Sequence, residues 1–238
     1  MANLTQGKQG IYIAFEGIDG CGKTTQISKI KDKLNKLNMK QSIVTTKDLS
    51  DGPIGDMVRS VFLSGVEGCD PLAMSYLYAA DRINNIININ SYLAAGSIVI
   101  SDRSYLSAYA YDNYHSITEY DPTRPTVRSK IHTAIIKSMA INDQVRMKCM
   151  PDVIFYIDCP ADIAIKRIKQ RSTTNDIYEN KDKLDAIRQA YRLGIEIERE
   201  QIKHPKIFIL DGTANQRDLT NLIMTHIEYE LKERHIIW

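Results

Sequence analysis

The sequence of 238 residues is poor in the features that mark several protein classes. Its four cysteines, Cys21, Cys69, Cys149 and Cys159, show no C-x-x-C spacing and no paired clusters. A disulfide scaffold and a thiolate metal site are therefore not expected, and reduced thiols in a cytoplasmic protein are. His115, His132, His204, His226 and His235 never recur at i, i+4, so no histidine zinc site is suggested. No run of about eighteen apolar residues is present to cross a membrane, and the leader "MANLTQGKQG" lacks an apolar core for export. A formal net charge of +2 is too small for a nucleic-acid-binding face or a polybasic membrane patch. Repeats and long Gly/Pro/Ser linkers are missing, so residues 1–238 read as one domain, with 1–9 as a flexible leader.

What is present is an alternation of short β-rich runs with longer helical ones. Candidate strands are "IYIAF" (11–15), "QSIVTT" (41–46), "SIVIS" (97–101), "DVIFYI" (152–157) and "KIFIL" (206–210). Continuously apolar strands separated by helices predict an α/β fold, a five-stranded parallel sheet flanked by helices. Helical stripes run through Ile27, Ile30, Leu34 and Leu37, and through Leu219, Leu222, Ile223, Ile227 and Leu231. Asp70-Pro71 reads as an N-cap followed by proline at N1, opening a long helix that ends before Gly96. In such sheets ligands sit beyond the carboxyl ends of the strands, so the residues that follow each strand are the ones that matter.

The first strand runs into Gly17-Ile18-Asp19-Gly20-Cys21-Gly22-Lys23-Thr24, which fits the phosphate-loop pattern G-x-x-x-x-G-K-[ST]. Glycines let backbone N–H groups converge on phosphates, and the following helix presents its positive end. The candidate ATP-binding set is Gly17, Asp19, Gly20, Cys21, Gly22, Lys23, Thr24 and Thr25, with Lys23 reaching the β- and γ-phosphates and Thr24 facing Mg²⁺. Cys21, at a helix N-terminus, reads as a small packing residue.

A GTPase switch should show N/T-K-x-D, which "TTKD" (45–48) and "NKDK" (180–183) both miss. A motor usually carries a carboxylate pair after its second motif strand, whereas "SIVISDRS" has one acid, Asp102, followed by Arg103. At a strand end Asp102 suits Mg²⁺, partly through water, and Arg103 suits a phosphate. As a surface ion pair the two would contribute little. A small kinase is the class that fits.

On these residues the chain resembles the thymidylate kinase family, from Ile11 to about Thr213. "FEGIDGCGKTTQ" resembles that family's opening, "TKDLSDGPIG" (46–55) its T-R-E-P-G-G-T-P-I-G loop, and "LYAADR" (77–82) its L-F-A-A-D-R. "SDRSYLSAYAY" (101–111), "PDVIFYIDCPADIAIKRIKQR" (151–171) and "DIYEN" (176–180) resemble its later blocks in the same order. The resemblance implies a three-layer P-loop kinase fold with a short lid at about 171–180, a homodimer, and transfer of the ATP γ-phosphoryl to dTMP with Mg²⁺. It implies that Tyr78 stacks on thymine, that Arg82 donates to thymine O4, and that Tyr111 lies beside the sugar. It also implies that Asp19 approaches the 3′-hydroxyl and that the "LDGT" loop (210–213) touches adenine through backbone. Lys47 and Arg103 are expected at the acceptor phosphate and Ser107 along the same pocket.

The chain also departs from the family. Lys47 stands where arginine is common, Leu49 where proline is common, and Ile177 where arginine is usual. Lysine keeps the charge of arginine but loses its bidentate fork. Gly20 stands where some members carry a basic residue aimed at the transferring phosphate, so that charge must come from the lid. Arg167, Lys169 and Arg171 lie on the helix that runs into it, and Arg171 at the lid's edge is the expected catalytic cation. Residues of about 112–150 form an extended loop–helix insertion, with Ile131, Ile135 and Met139 on one stripe. It is expected either to extend a dimer interface or to cover the acceptor site. Two other readings stay open: a kinase of broader or modified pyrimidine deoxynucleotides, and a non-catalytic nucleotide-binding protein on the same fold.

Overall fold

The structure, a computed structural model, describes residues 10–37, 39–63, 70–112, 125–170 and 181–236. All five expected strands form: β1 Ile11–Glu16, β2 Ile43–Lys47, β3 Ile98–Asp102, β4 Val153–Asp158 and β5 Lys206–Asp211. They pair in parallel in the order β2-β3-β1-β4-β5. β1, β3 and β4 are buried almost throughout, as their apolar runs require. β2 and β5 are not: they form the sheet edges, and apart from Leu210 their residues are half-buried or exposed. Phe15, Phe155 and Phe208 tie three strands across one face, with ring centroids 5.4 and 5.5 Å apart.

The helices are α1 Lys23–Asn35, α2 Pro53–Leu63, α3 Pro71–Ala94, α4 Leu106–Tyr111, α5 Pro125–Lys148, α6 Ala161–Lys169, α7 Lys181–Arg199 and α8 Gln216–Glu233. Asp70 caps α3 as its sequence predicts, accepting from the Leu72 and Ala73 amides at 2.8 and 3.4 Å. Of the α1 stripe, Ile27, Ile30 and Leu34 are buried, but Leu37 lies past the helix end and is exposed. On α8, Leu219, Ile223, Ile227 and Leu231 are buried while Leu222 faces water. The buried four follow strict i, i+4 spacing, and Leu222 falls about 100° off that line. Of the 112–150 insertion, the described helical part is α5, which packs on α3, α4 and α7. The leader 1–9 and the lid 171–180 lie outside the described residues.

The register sets the site. Lys47 lies opposite Asp102, and Asp102 opposite Phe15, so β1, β2 and β3 end at one level. β1 sits between β3 and β4, where the winding of the chain reverses, and its carboxyl end opens into the phosphate loop.

Candidate active site

The phosphate loop links β1 to α1 and is shaped by glycine. Gly20 has φ +77, and a Cβ there would sit 2.4 Å from the Ala164 carbonyl oxygen of α6. That contact explains the missing basic side chain: α6 occupies the space it would need. Gly22 caps α1 at φ 108 with open space before it. Lys23 is buried, and its Nζ donates to the Gly17 and Ile18 carbonyls at 3.0 and 3.1 Å, which holds the ammonium over the loop. Cys21 is buried in the core cluster, and Thr25 is half-buried in the first turn of α1. Thr24 Oγ1 donates to Asp102 Oδ2 at 2.9 Å, bringing together the two residues that the sequence marks for a cation.

Arg103 directly follows β3 with φ 77, a left-handed backbone that costs a non-glycine residue about 1–3 kcal/mol. Its amide donates to the Phe15 carbonyl at 2.9 Å, and this turns the side chain across the end of β1. Nη1 donates to the Gly17 carbonyl (3.0 Å), the Tyr191 hydroxyl (2.8 Å) and Ser107 Oγ (3.3 Å). Nη2 donates to Asp19 Oδ1 (2.5 Å) and the Tyr111 hydroxyl (2.9 Å). Four expected residues, Asp19, Arg103, Ser107 and Tyr111, thus meet around one guanidinium. Both terminal nitrogens are engaged; Nε–H has no partner among the described residues. Burial works against the ionised Asp19 carboxylate, but Arg103 and Lys23 outweigh it and hold its pKa below the usual range.

Beneath Arg103 lies Glu16, fully buried at the end of β1. Its Oε1 accepts from the Ser104 amide and hydroxyl, both at 2.7 Å, and Oε2 accepts from Ser107 (2.6 Å) and Tyr191 (3.0 Å). Burial pushes the Glu16 pKa up, against the pull of Ser107, Arg103, Ser104 and Tyr191. Sequence reading missed Glu16 and Tyr191. The signal for Glu16 was there, a single charge closing the apolar run "IYIAFE"; Tyr191 gave none, since it comes from α7 and 88 residues separate it from Arg103.

A second arginine stands on α3. Arg82 is nearly buried, with its Cζ 5.7 Å from the Tyr78 ring centroid. Its Nε and Nη2 both donate to Asp48 Oδ2, at 3.0 and 2.7 Å, and Nη1 donates to Asn142 Oδ1 at 2.8 Å. Three of its five N–H groups are used in this way, and two have no partner among the described residues. Asp48 and Asn142 were also not foreseen. Nearby Asp112 carries the buried side-chain oxygen, Oδ2, that has no hydrogen bond among the described residues. Burial raises the Asp112 carboxyl to about 7, with Arg82 pulling it down and Asp48 pushing it up. A polar cavity of about 30 Å³, room for one water, lies between Arg82 and Arg103 and also touches Lys47, Asn85 and Ser101.

Other expected residues are placed differently. Lys47 Nζ pairs with Asp51 at 2.7 Å, both side chains more than half exposed. Arg167 of α6 donates to the Cys21 and Gly212 carbonyls at 3.2 and 2.9 Å, clamping the phosphate loop to the 210–213 loop. Arg171 lies outside the described residues. A larger cavity of about 290 Å³ sits by the amino end of β2, away from the strand ends that carry the site, between Leu37, Met39, Gln41 and Ile236, and is lined by none of the expected site residues.

The thymidylate kinase family model matches residues 15–223. Similar curated proteins include the thymidylate kinase of Ureaplasma parvum, 27% identical over 89% of this chain and 86% of its own length. The probable thymidylate kinase of Methanococcus aeolicus is 31% identical over 86% and 88%. That of a Sulfurihydrogenibium species is 29% identical over 96% and 100%. With a family match across most of its length, laid over a phosphate loop and an arginine hub at one sheet edge, the chain belongs to the thymidylate kinase family.

Proposed function

We propose that the chain transfers the γ-phosphoryl group of ATP to the 5′-phosphate of dTMP, giving ADP and dTDP, as a cytoplasmic homodimer. The observation that carries this reading is the meeting of Lys23, Thr24, Asp102, Arg103 and Asp19 at the carboxyl end of β1 and β3, in a chain of this family. The acceptor phosphate already supplies the attacking oxygen, so the protein's task is positioning and charge stabilisation.

Lys23, held over the loop, meets the donor phosphates together with the loop amides. Arg103 offers a phosphate its Nε–Nη2 edge, with Asp19 released from Nη2 toward the sugar 3′-hydroxyl. Tyr111 stays beside the sugar, and Tyr78 stacks on the base with Arg82 at O4. Arg171 brings the cation that Gly20 lacks. Thr24 and Asp102 fit Mg²⁺ by their chemistry: a hydroxyl and a carboxylate, hydrogen-bonded to each other at 2.9 Å, are hard oxygen donors that would hold the ion, Asp102 partly through water. When bound, the ion neutralises charge on the donor phosphates. Support for the dimer comes from a row of exposed apolar side chains on α3, Leu72, Tyr76 and Ile87 at 56, 57 and 70% exposure. Support for the cytoplasm comes from Cys21 and Cys159, which are buried and not in disulfides. No helix among the described residues is long and apolar enough to cross a membrane.

A coupled ADP-release assay across dTMP, dUMP, dCMP, dGMP and UMP tests the reading. dTMP should turn over fastest and dUMP detectably slower, since one missing methyl is worth about 10–200-fold. dCMP should be much poorer. Equal turnover of dCMP would remove the thymine assignment, and ATP binding without any turnover would favour the non-catalytic reading.

A further inference from the structure

The insertion helix α5 supplies a buried polar residue to Arg82, and the geometry of that contact differs from the geometry on the Asp48 side. Asp48 receives both Nε and Nη2 on the same oxygen, Oδ2. A one-oxygen contact supplies countercharge but leaves the guanidinium plane free to swivel about that atom. The bond from Nη1 to Asn142 Oδ1, at the far end of the group, removes the swivel. Asn142 is 1% exposed, and its own orientation is fixed. Its Nδ2 donates to the Ser138 carbonyl at 2.9 Å, and since that oxygen only accepts and Arg82 only donates, the amide is satisfied one way round.

The helix that carries Asn142 is itself pinned one turn later. Arg146 Nε donates to Glu198 Oε1 at 2.9 Å, and Arg146 also donates to the Lys203 carbonyl. Glu198, fully buried on α7, further accepts from the Tyr105 and Tyr109 hydroxyls of the α4 region at 2.9 and 3.2 Å. Asn142 and Arg146, four apart, share one face of α5. A rigid path therefore runs from α7 through α5 to the arginine on α3.

We propose that Asn142 is a positioning residue that fixes the plane of Arg82 and thereby sets base selectivity, so that α5 is part of the acceptor site. This rests on the reading of Arg82 as the donor to the base. Helix α5, the described helical part of the 112–150 insertion, then serves the acceptor side by bracing Arg82.

The test is steady-state kinetics with ATP on dTMP and dCMP for the wild type, Asn142→Ala, Asn142→Asp and Arg82→Lys, with melting temperatures for each. In Asn142→Ala, KM for dTMP should rise about tenfold with kcat within about threefold, and the dTMP/dCMP preference should fall about tenfold. Asn142→Asp keeps an acceptor oxygen toward Arg82 but loses the bond to the Ser138 carbonyl, so the preference should return to within about threefold of wild type even though the melting temperature falls. A lowered melting temperature with KM and preference unchanged would make Asn142 merely structural and overturn the proposal. If Asn142→Ala does not fold, Asn142→Ser, whose hydroxyl is too short to reach Arg82, decides against Asn142→Asp: equal preferences in the two overturn the proposal. Arg82→Lys separates the two levels. If it leaves the preference intact, the base-donor reading fails and takes the proposal with it; if it collapses the preference while Asn142→Ala does not, the proposal alone fails.

Discussion

The donor and acceptor sides proposed for this site are built in different ways. The phosphate loop is a local device: Gly17 to Thr24 are consecutive, their glycines take backbone shapes other residues avoid, and Lys23 bonds to carbonyls five and six residues away. The acceptor side is assembled from distance. Arg103 reaches Gly17, Asp19 and Tyr191 across 84 to 88 residues, and Arg82 reaches Asp48 and Asn142 across 34 and 60. A local loop can be shared by many enzymes that hold a triphosphate, whereas a dispersed side-chain network can be changed one residue at a time. The second kind of site is where a kinase specifies its acceptor.

Substitutions can break or sharpen this contrast. The largest effect is expected on the donor side: Lys23→Ala should lower kcat by about 10²–10³-fold, the range for removing one preorganised electrostatic contact, with dTMP affinity by calorimetry within about threefold of wild type. Arg171→Ala should lower kcat at least about a hundredfold, below the 10³–10⁵ ascribed to an arginine finger. An unchanged kcat would move the lid cation elsewhere. Neither substitution replaces a side chain of the acceptor network, so a large loss of dTMP affinity in either would blur the two sides.

Glu16→Gln strikes the acceptor network from below. The amide can keep its oxygen on the Ser104 N–H, but its N–H₂ group then faces the Ser107 and Tyr191 hydroxyls, which already accept from Arg103 Nη1, and the countercharge beneath Arg103 is lost. The expected cost is about 1–3 kcal/mol of stability, together with a raised KM for dTMP and little change in KM for ATP. Thermal unfolding and the two KM values check this.

The smallest effect concerns Asp112, whose carboxyl is raised to about 7 by burial. A raised acid binds its proton more tightly in the folded than in the unfolded state. Its stability contribution therefore falls as pH rises from the ordinary carboxylate range, near 4, to about 7. Asp112→Asn should accordingly gain melting temperature at pH 8 relative to wild type and lose that advantage toward pH 4, at about 2–4 °C per kcal/mol for a chain of this size. A gain independent of pH would mean that Asp112 is not titrating there.

The same contrast decides what was legible in the sequence. The five strands and the capped start of α3 could be read because each depends on its own residues. Lys23, Thr24 and Asp102 could be read as a group because the loop motif and a strand end mark them. Tyr191, Asp48 and Asn142 could not, since a buried polar residue is recognised by its partners, and these lie on other elements; Glu16 left only the single charge that closes an apolar run. The edge strands misled for a related reason: an apolar run does not say whether a neighbour covers both its sides. Leu222 misled because a helical stripe widened by one position still looks periodic.

The most direct measurement of the division between donor and acceptor sides is calorimetric titration of ATP, dTMP and dCMP into the wild type and Arg82→Ala. If the acceptor side reads the base, Arg82→Ala weakens dTMP by about 10–100-fold, leaves ATP within about twofold, and brings dTMP close to dCMP. If dTMP and dCMP bind the wild type equally, or if Arg82→Ala weakens ATP as much as dTMP, the base is not read at Arg82 and the two sides are not separate.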